Sequence, residues 1–378
     1  MIELSWPQVS ARRLERAHLA APAPAPAADK GQAAVVAAMC GAHAQVMSAA
    51  ELSIALRLGG VTRAHVREAL WGEEALVKTH GPRGTVHLLP AADLPMWRGA
   101  LSSMPAGPTG PEGVRLTAEQ IGQVVQAVRD VLSVADMTID ELSEAVVAAT
   151  GPWAGDLVVP AFQGMWPRWR QAMTVAAHRG AFVFGPARGR KVTYRAAPDV
   201  PVPADGRAAL VKAYLAAYGP ATSAQFAQWA GAPGRWAAEA FASVETEEVL
   251  FDGRPARVLA GDTAAPDGPP RGVRLLPYFD AYLIAGRPRE LLYPGRAWQR
   301  ALAGGQAGNF PVLLVDGEVR GVWHQRRSGS RIDVTVEPLW GLTAAQLREL
   351  DEQVERVGEI LEGRPRLTIG QVTVGAHA

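Results

Sequence analysis

The feature that most constrains the fold is a succession of sequence patterns that occurs three times along the chain. Each copy has three stretches with apolar residues at helical spacing, followed by two short β-type stretches around a glycine-containing turn. In the first copy, residues 48–51 (SAAE) have the spacing of a capping box and predict the start of the second helix. The predicted elements of this copy are helices 30–41, 48–58 and 62–70 and strands 75–80 and 85–89.

The second and third copies repeat this order. Their second helices carry Leu142 and Phe226 at positions equivalent to Leu52, and we expect all three residues in the core. The second copy has predicted helices 117–132, 138–149 and 160–179 and strands 181–184 and 191–194, and the third has helices 207–218, 222–230 and 235–243 and strands 248–251 and 256–259. Three helices followed by a hairpin predict a winged-helix module, whose third helix can lie in a DNA groove.

After residue 266 the pattern changes to short buried strands and one long amphipathic helix. Strands are predicted at 273–277, 312–315, 318–324, 331–336 and 366–374, with a helix at 343–361. The predicted fold class is therefore α+β, with three tandem winged-helix modules and a C-terminal β-rich, barrel-like region. Stretches rich in proline and glycine separate these parts and give the domains 1–100, 114–197, 205–262 and 270–378, with residues 21–27 as a surface linker.

Composition excludes several kinds of site. The 378 residues carry a net charge of only +1, so DNA binding would need its cations gathered on one face. Cys40 is the only cysteine, which excludes an intramolecular disulfide, a cysteine-based zinc site and an iron–sulfur cluster. The sequence has neither a Walker loop nor a dinucleotide fingerprint, so no cofactor is expected. Without a secretion signal or a long apolar run, the protein is expected in the cytoplasm.

His43 and Gln45 are the residues most suggestive of chemistry. They fall in the predicted connection between the first two helices of the first copy. An imidazole and a carboxamide two residues apart can hold and polarise a water molecule. The same pair also occurs by accident in many proteins, where the histidine only satisfies a helix end.

Four motifs, in this order, make the chain similar to a known family. They are residues 41–45 (GAHAQ), 83–89 (RGTVHLL), 275–283 (LLPYFDAYL) and 311–323 (PVLLVDGEVRGVW). Together they resemble the AlkZ-like DNA glycosylases, and the resemblance covers essentially the whole chain. That family carries Gln-x-Gln or Gln-x-Asp where this chain has His43 and Gln45, so His43 is the departure.

The resemblance implies excision of alkylated bases, especially guanine modified at N7, and self-resistance in producers of DNA-alkylating antibiotics. It also implies a C-shaped molecule with a cationic concave face and a hairpin that probes the duplex. N7 alkylation makes guanine a good leaving group, so a placed water and a negative dipole near C1′ are what help the reaction. Gln45 is expected to supply both, while His43, if neutral, orients the water or accepts its proton.

Asp280 is a weaker catalytic candidate. Its carboxylate could stabilise a cationic sugar, or it could form a structural ion pair or cap a turn. No amine nucleophile is required, so the expected enzyme is monofunctional and leaves an abasic site. His80 and His87 lie on the two strands of the first hairpin without a third ligand, so no metal is expected.

The expected DNA contacts lie on hairpins. Between residues 286 and 331 there are eight Arg against three acidic residues, a local excess of +5. The predicted contacts are Trp323, His324, Gln325, Arg326, Arg327 and Arg331 on the C-terminal hairpin, and Arg83, Arg188, Arg190 and Lys191 at the tips of the first two wings.

The sequence thus predicts a monomeric DNA glycosylase that releases N7-alkylguanine from double-stranded DNA, with bulky antibiotic adducts favoured over methyl lesions. A winged-helix transcription regulator remains open, because such modules more often bind operators than break bonds. A non-catalytic protein that binds the drug or its lesion also remains open, since some of the 11 Trp could line a pocket.

Overall fold

The computed structural model describes residues 2–24, 31–105, 107, 111–161, 164–302 and 304–376. It has the predicted α+β composition, with helices and strands mixed along the whole chain. The linkers predicted at 21–27 and 105–113 fall partly outside the described residues. No helix in the described part of the chain combines the length and the apolar character that crossing a bilayer requires.

The N-terminal segment packs far from its neighbours in sequence. It consists of β1 (Ile2–Leu4) and α1 (Trp6–Arg16). Leu4 pairs in parallel with Phe251 of the third unit, and Trp6 and Val9 share a core with that unit's hairpin and the C-terminal region. The segment is predicted as part of the domain 1–100, and its apolar face packs against the third unit and the C-terminal region.

The first unit contains a strand that the sequence patterns do not predict. This strand pairs with the last strand of the unit, with Ala42 opposite Leu88 and His43 opposite His87. The predicted capping box at 48–51 is wrong, because the helix begins at Met47 and Glu51 pairs instead with Arg67. The elements are α2 (Gly31–Ala38), β2 (Ala42–His43), α3 (Met47–Ala55), α4 (Arg63–Trp71), β3 (Leu76–His80) and β4 (Val86–Pro90), followed by α5 (Leu94–Ser102).

Capping boxes at Thr117 and Thr138 begin the first two helices of the second unit, which confirms the predicted helix starts at residues 117 and 138. The predicted helix 160–179 is wrong, because Pro160 and Pro167 lack the N–H groups that a continuous helix needs. A hairpin, a 3-10 turn and a short helix stand in its place. The elements are α6 (Ala118–Leu132), β5 (Met137–Thr138), α7 (Ile139–Thr150), β6 (Leu157–Pro160), β7 (Met165–Pro167), α8 (Met173–His178), β8 (Phe182–Arg188) and β9 (Lys191–Ala196).

The third unit matches its predicted elements within about two residues. In all three units the link after the first helix pairs with the last strand. This pairing is a single bridge between Ala221 and Arg257 in the third unit, and it is β2 with β4 and β5 with β9 in the other two. Leu52, Leu142 and Phe226 are all buried, which confirms their predicted place in the cores. The elements are α9 (Gly206–Tyr218), α10 (Ser223–Ala230), α11 (Gly234–Ala242), β10 (Thr246–Phe251) and β11 (Arg254–Leu259).

The C-terminal region is a five-stranded sheet that is open at both edges. Its strand order is β12-β13-β14-β15-β16, and the edge strands do not pair with each other among the described residues, so the barrel does not close. Helix α15 covers one face of the sheet. The elements are β12 (Val273–Leu276), α12 (Ala281–Ala285), α13 (Arg289–Leu292), α14 (Arg296–Ala301), β13 (Val312–Val315), β14 (Glu318–Ser328), β15 (Arg331–Pro338), α15 (Ala344–Ile360) and β16 (Arg364–Ile369).

A buried ion pair connects this sheet region to the first unit. Arg57, which follows α3, donates from Nη2 to Oδ1 of Asp280 and from Nη1 to Oδ2, both at 2.9 Å. Both side chains are fully buried. The first unit also shares one hydrophobic core with the sheet and α15. The pair therefore fixes the loop before α12 against the first unit.

We expect Arg57→Met to destabilise the protein by about 3–5 kcal/mol, because it leaves the Asp280 carboxylate buried and unpaired. Urea unfolding followed by tryptophan fluorescence measures this free energy. Arg235→Gln is the matched control, since it breaks an exposed pair with Glu239 and should cost less than about 1 kcal/mol. Equal losses in the two variants would show that the Arg57–Asp280 pair does not hold these parts together.

Candidate active site

His43 lies on β2, where the chain leaves α2 through two residues with positive φ. Cys40 has φ 52° and Gly41 φ 92°, and a Cβ on Gly41 would lie 3.0 Å from Cδ2 of Leu89. Glycine therefore allows the close approach of β2 to β4. This tight turn places the His43 side chain beside His87, and only 8 % of it is exposed.

The His43 imidazole is enclosed by aromatic rings. Its centroid lies 4.6 Å from the ring of Phe279 and 5.1 Å from that of His87. Its Nδ1 atom is buried and has no hydrogen-bond partner in the described part of the chain. Burial, with a smaller contribution from the Arg83 charge, lowers the pKa of His43 to about 4. The imidazole is therefore neutral at physiological pH.

Gln45 lies two residues beyond His43 and is exposed to solvent. Its Oε1 accepts a long hydrogen bond, 3.5 Å, from the Val86 N–H, while the Ala44 N–H between the two residues donates to the Val86 carbonyl at 2.7 Å. The site therefore combines a buried, neutral imidazole with a carboxamide at the surface, both placed by the β2–β4 pairing.

Arg83 is less accessible than a wing tip would be. It has φ 61° in the 3-10 turn Pro82–Gly84, and its Nη1 donates to the Trp229 carbonyl of the third unit. Burial lowers its pKa to about 10, so it still carries a charge. A cavity of about 410 Å³ adjoins it and is lined by residues from all three units, including Thr174 and Gly231. The arginine expected to contact phosphate thus joins two units beside His43.

Both carboxylate oxygens of Asp280 accept structural hydrogen bonds. Besides Arg57, it accepts hydrogen bonds from Ser53 Oγ (2.7 Å) and from the Tyr282 N–H (3.0 Å), and it caps α12. Of the two interpretations open at the sequence level, the geometry matches the ion pair and cap. Its backbone neighbour Phe279 is the residue that reaches His43, so Asp280 contributes by holding that ring in place.

On the C-terminal hairpin, Trp323 does not lie on the surface. It is 1 % exposed and donates from Nε1 to the Leu276 carbonyl at 2.9 Å, so its predicted role in DNA contact is wrong. The residue belongs to the inward-facing side of β14, which is buried against the first unit and α15.

The polar residues toward the tip of this hairpin differ in availability. His324 and Gln325 are half-buried, and Arg326 is exposed. Arg327 donates to the Leu361 carbonyl at 2.6 Å, and Arg331 pairs with Asp333 at 3.2 Å. Among the described residues near this tip, Arg326 is thus the arginine with neither an ion pair nor a side-chain hydrogen bond.

The predicted wing-tip residues of the second unit are all exposed. Arg188 pairs with Glu141 at 2.9 Å and Lys191 with Asp140 at 2.7 Å, whereas Arg190 has no ion pair within the described ranges. Such exposed pairs are weak and can be exchanged for phosphate contacts. In the described part of the chain, no group of three or more His, Cys, Asp or Glu side chains lies in position to hold a metal ion.

Two residues that shape the site were missed at the sequence level. Phe279 and Arg57 come to the site from segments more than 200 positions apart. The only local signal for Phe279 was its place within the motif 275–283, and no local pattern relates Arg57 to Asp280.

Comparisons with known proteins identify the family of the chain. A family described as "DNA glycosylase AlkZ-like" matches residues 36–360. The chain is 29% identical over 341 residues to an interstrand DNA cross-link repair glycosylase from Streptomyces sahachiroi, covering 85% of this chain and 88% of that protein. The solved structure of the Streptomyces sahachiroi DNA glycosylase AlkZ superposes with a TM-score of 0.78 at 28% identity, covering 98% of this chain and 100% of that one. The chain belongs to the AlkZ-like family of DNA glycosylases.

Proposed function

We propose that the protein hydrolyses the N-glycosidic bond of N7-alkylguanine in double-stranded DNA and leaves an abasic site. The observation that carries the proposal is the neutral imidazole of His43 next to the exposed carboxamide of Gln45. Family membership supports DNA as the substrate and base excision as the reaction. The identity of the base and the roles of the two residues are the parts that we propose.

The chemistry of the lesion suits this pair. Alkylation at N7 gives guanine a positive charge, so the base departs as a neutral molecule and needs little help from an acid. Positive charge develops instead on the sugar, where a carboxamide oxygen can stabilise it and hold the attacking water. Gln45 is exposed enough to reach a nucleotide, which supports this role.

His43 acts in the proposal by orienting that water. A pKa of about 4 makes its imidazole a weak base, yet keeps it neutral and able to accept a hydrogen bond. Since Nδ1 is buried against protein, Nε2 is the nitrogen assigned to the water. The ring of Phe279 limits rotation of the imidazole, which favours a fixed orientation.

We further propose that the three repeated units are winged-helix modules. Each has the order helix, link, helix, helix, hairpin, and in each the link after the first helix pairs with the last strand. A C-shaped arrangement of the modules would bring Arg188, Arg190 and Lys191 of the second unit to the DNA backbone together with His324, Gln325 and Arg326. The cavity beside Arg83, which is lined by residues of all three units, supports contact among them. One chain would then supply the whole DNA face, so we propose a monomer.

Bulky adducts are the proposed lesions. The similar Streptomyces sahachiroi protein is named an interstrand DNA cross-link repair glycosylase, which favours a site that accepts large modifications. Antibiotic self-resistance and base excision repair are the corresponding proposed roles. A regulator or a drug-binding protein would bind DNA or the drug without releasing a base, and the same assay distinguishes these alternatives.

We expect Gln45→Ala to slow excision by at least about 100-fold, because it removes the dipole that faces the sugar. The double variant with His43→Ala should release no detectable modified guanine. The measurement is single-turnover release of free modified guanine, and of heat-labile abasic sites, from DNA alkylated by an intercalating agent. Gln126→Ala, an exposed glutamine on α6, is the matched control and should retain full activity. A double variant that remains active would exclude this site.

The low pKa of His43 gives a prediction for the pH profile. A group whose pKa is depressed from 6.5 to about 4 is already neutral at pH 6, so the excision rate should not rise between pH 6 and 8. The rate should fall only as the pH approaches 4, where the imidazole is protonated. Single-turnover rates, corrected for spontaneous depurination, test this. An inflection near pH 6.5 that His43→Gln abolishes would instead indicate a base of ordinary pKa.

A further inference from the structure

A second cavity, of about 510 Å³, lies between the first and second units and is lined by three arginines. Arg98 comes from α5, Arg129 from α6, and Arg179 from the residue after α8. Asp199 is the one acidic residue in its lining, and it is exposed. The cavity therefore has a strong excess of positive charge on a chain whose net charge is close to zero.

Arg98 is the buried member of this group. Only 8 % of it is exposed, and its guanidinium packs on Gly180, where a Cβ would lie 2.9 Å from Cζ. Nη1 donates to the Pro198 carbonyl at 2.6 Å, but Nη2 is buried and has no partner in the described part of the chain. Burying a cation with an unsatisfied donor is costly. The charge of Arg98 therefore favours an anion in the adjoining cavity.

Arg129 and Arg179 form the exposed rim of the cavity. Nη2 of Arg129 donates to the Arg179 carbonyl at 3.1 Å, which keeps the two residues adjacent. Within the described residues, neither they nor Arg98 form an ion pair, although many other arginines of the chain do. Three guanidinium groups without ion pairs therefore line one cavity, and guanidinium groups bind oxyanions through charge-assisted hydrogen bonds.

We propose that this cavity binds a phosphate group, with Arg98 at its base and Arg129 and Arg179 at its rim. The cavity shares Ser102, His178 and Arg179 with the cavity beside Arg83, so the two cavities are adjacent. The favoured source is a backbone phosphate of the DNA, an assignment that rests on the proposed function; free phosphate has the same chemistry.

The phosphate site is tested with a double variant, Arg129→Gln with Arg179→Gln, which changes only exposed side chains. The matched control is Lys212→Gln with Arg348→Gln, which removes the same charge from exposed positions on α9 and α15 outside the cavity. Inorganic phosphate, compared with chloride at equal ionic strength, should raise the Tm of the wild type and of the control. It should not raise the Tm of the cavity variant.

The source of the phosphate is tested with undamaged duplex DNA. The slope of log K against log salt concentration should be smaller in magnitude by about 1 in the cavity variant than in the control, since each neutralised phosphate contributes about 0.9. A smaller slope assigns the site to the DNA backbone, whereas loss of only the Tm effect assigns it to free phosphate. If both measurements match the control, the phosphate site is excluded.

Neither measurement requires base excision, so the results can exclude the phosphate site without excluding the proposed reaction, and the reverse. Arg98→Gln provides a further check on the base of the cavity. If it folds, as judged by circular dichroism, it should lose the phosphate-dependent Tm increase. If it does not fold, the rim variant still decides the result.

Discussion

The buried pair of Arg57 and Asp280 is the interaction on which the active site depends. Asp280 uses both carboxylate oxygens to hold the first unit, and it also caps α12. Phe279, directly before it, has φ 53° and places its ring on His43. An ion pair in the interior costs desolvation energy, but its directional geometry fixes the relative position of the two parts of the chain that it joins. Here that relative position determines the environment of the His43 imidazole.

Burial then determines the chemistry of the first unit's histidines. Desolvation is the largest contribution that lowers the pKa of His43, and it also lowers the pKa of His87 and His80. The charge of Arg83 acts in the same direction on His43 and His87. Packing thus keeps a group of imidazoles neutral near the site that, in the proposed reaction, accepts a cationic base. A protonated histidine at this position would repel the substrate that the proposed reaction requires.

The sequence predicts local structure well and long-range contacts poorly. Capping boxes at Thr117 and Thr138 locate two helices correctly, because both ends of each box lie within four residues. The strand β2 is two residues long and too short for a periodic pattern, so its pairing with β4 is not predictable. Trp323 lies in the middle of β14, where both faces of the strand are buried. Alternation of apolar and polar residues therefore does not show which side chains point to solvent. The Arg57–Asp280 contact has no local signature.

The packing around position 43 suits a histidine better than a carboxamide side chain. A carboxamide has two donors and an acceptor to satisfy, whereas a neutral imidazole has one of each. At a position that is 8 % exposed and faces the rings of Phe279 and His87, the imidazole leaves fewer polar atoms without partners. Its ring centroid lies 4.6 Å from that of Phe279, with 31° between the ring planes. A histidine here therefore offers a hydrogen-bond acceptor within an aromatic enclosure, and Gln45 supplies a carboxamide at the surface.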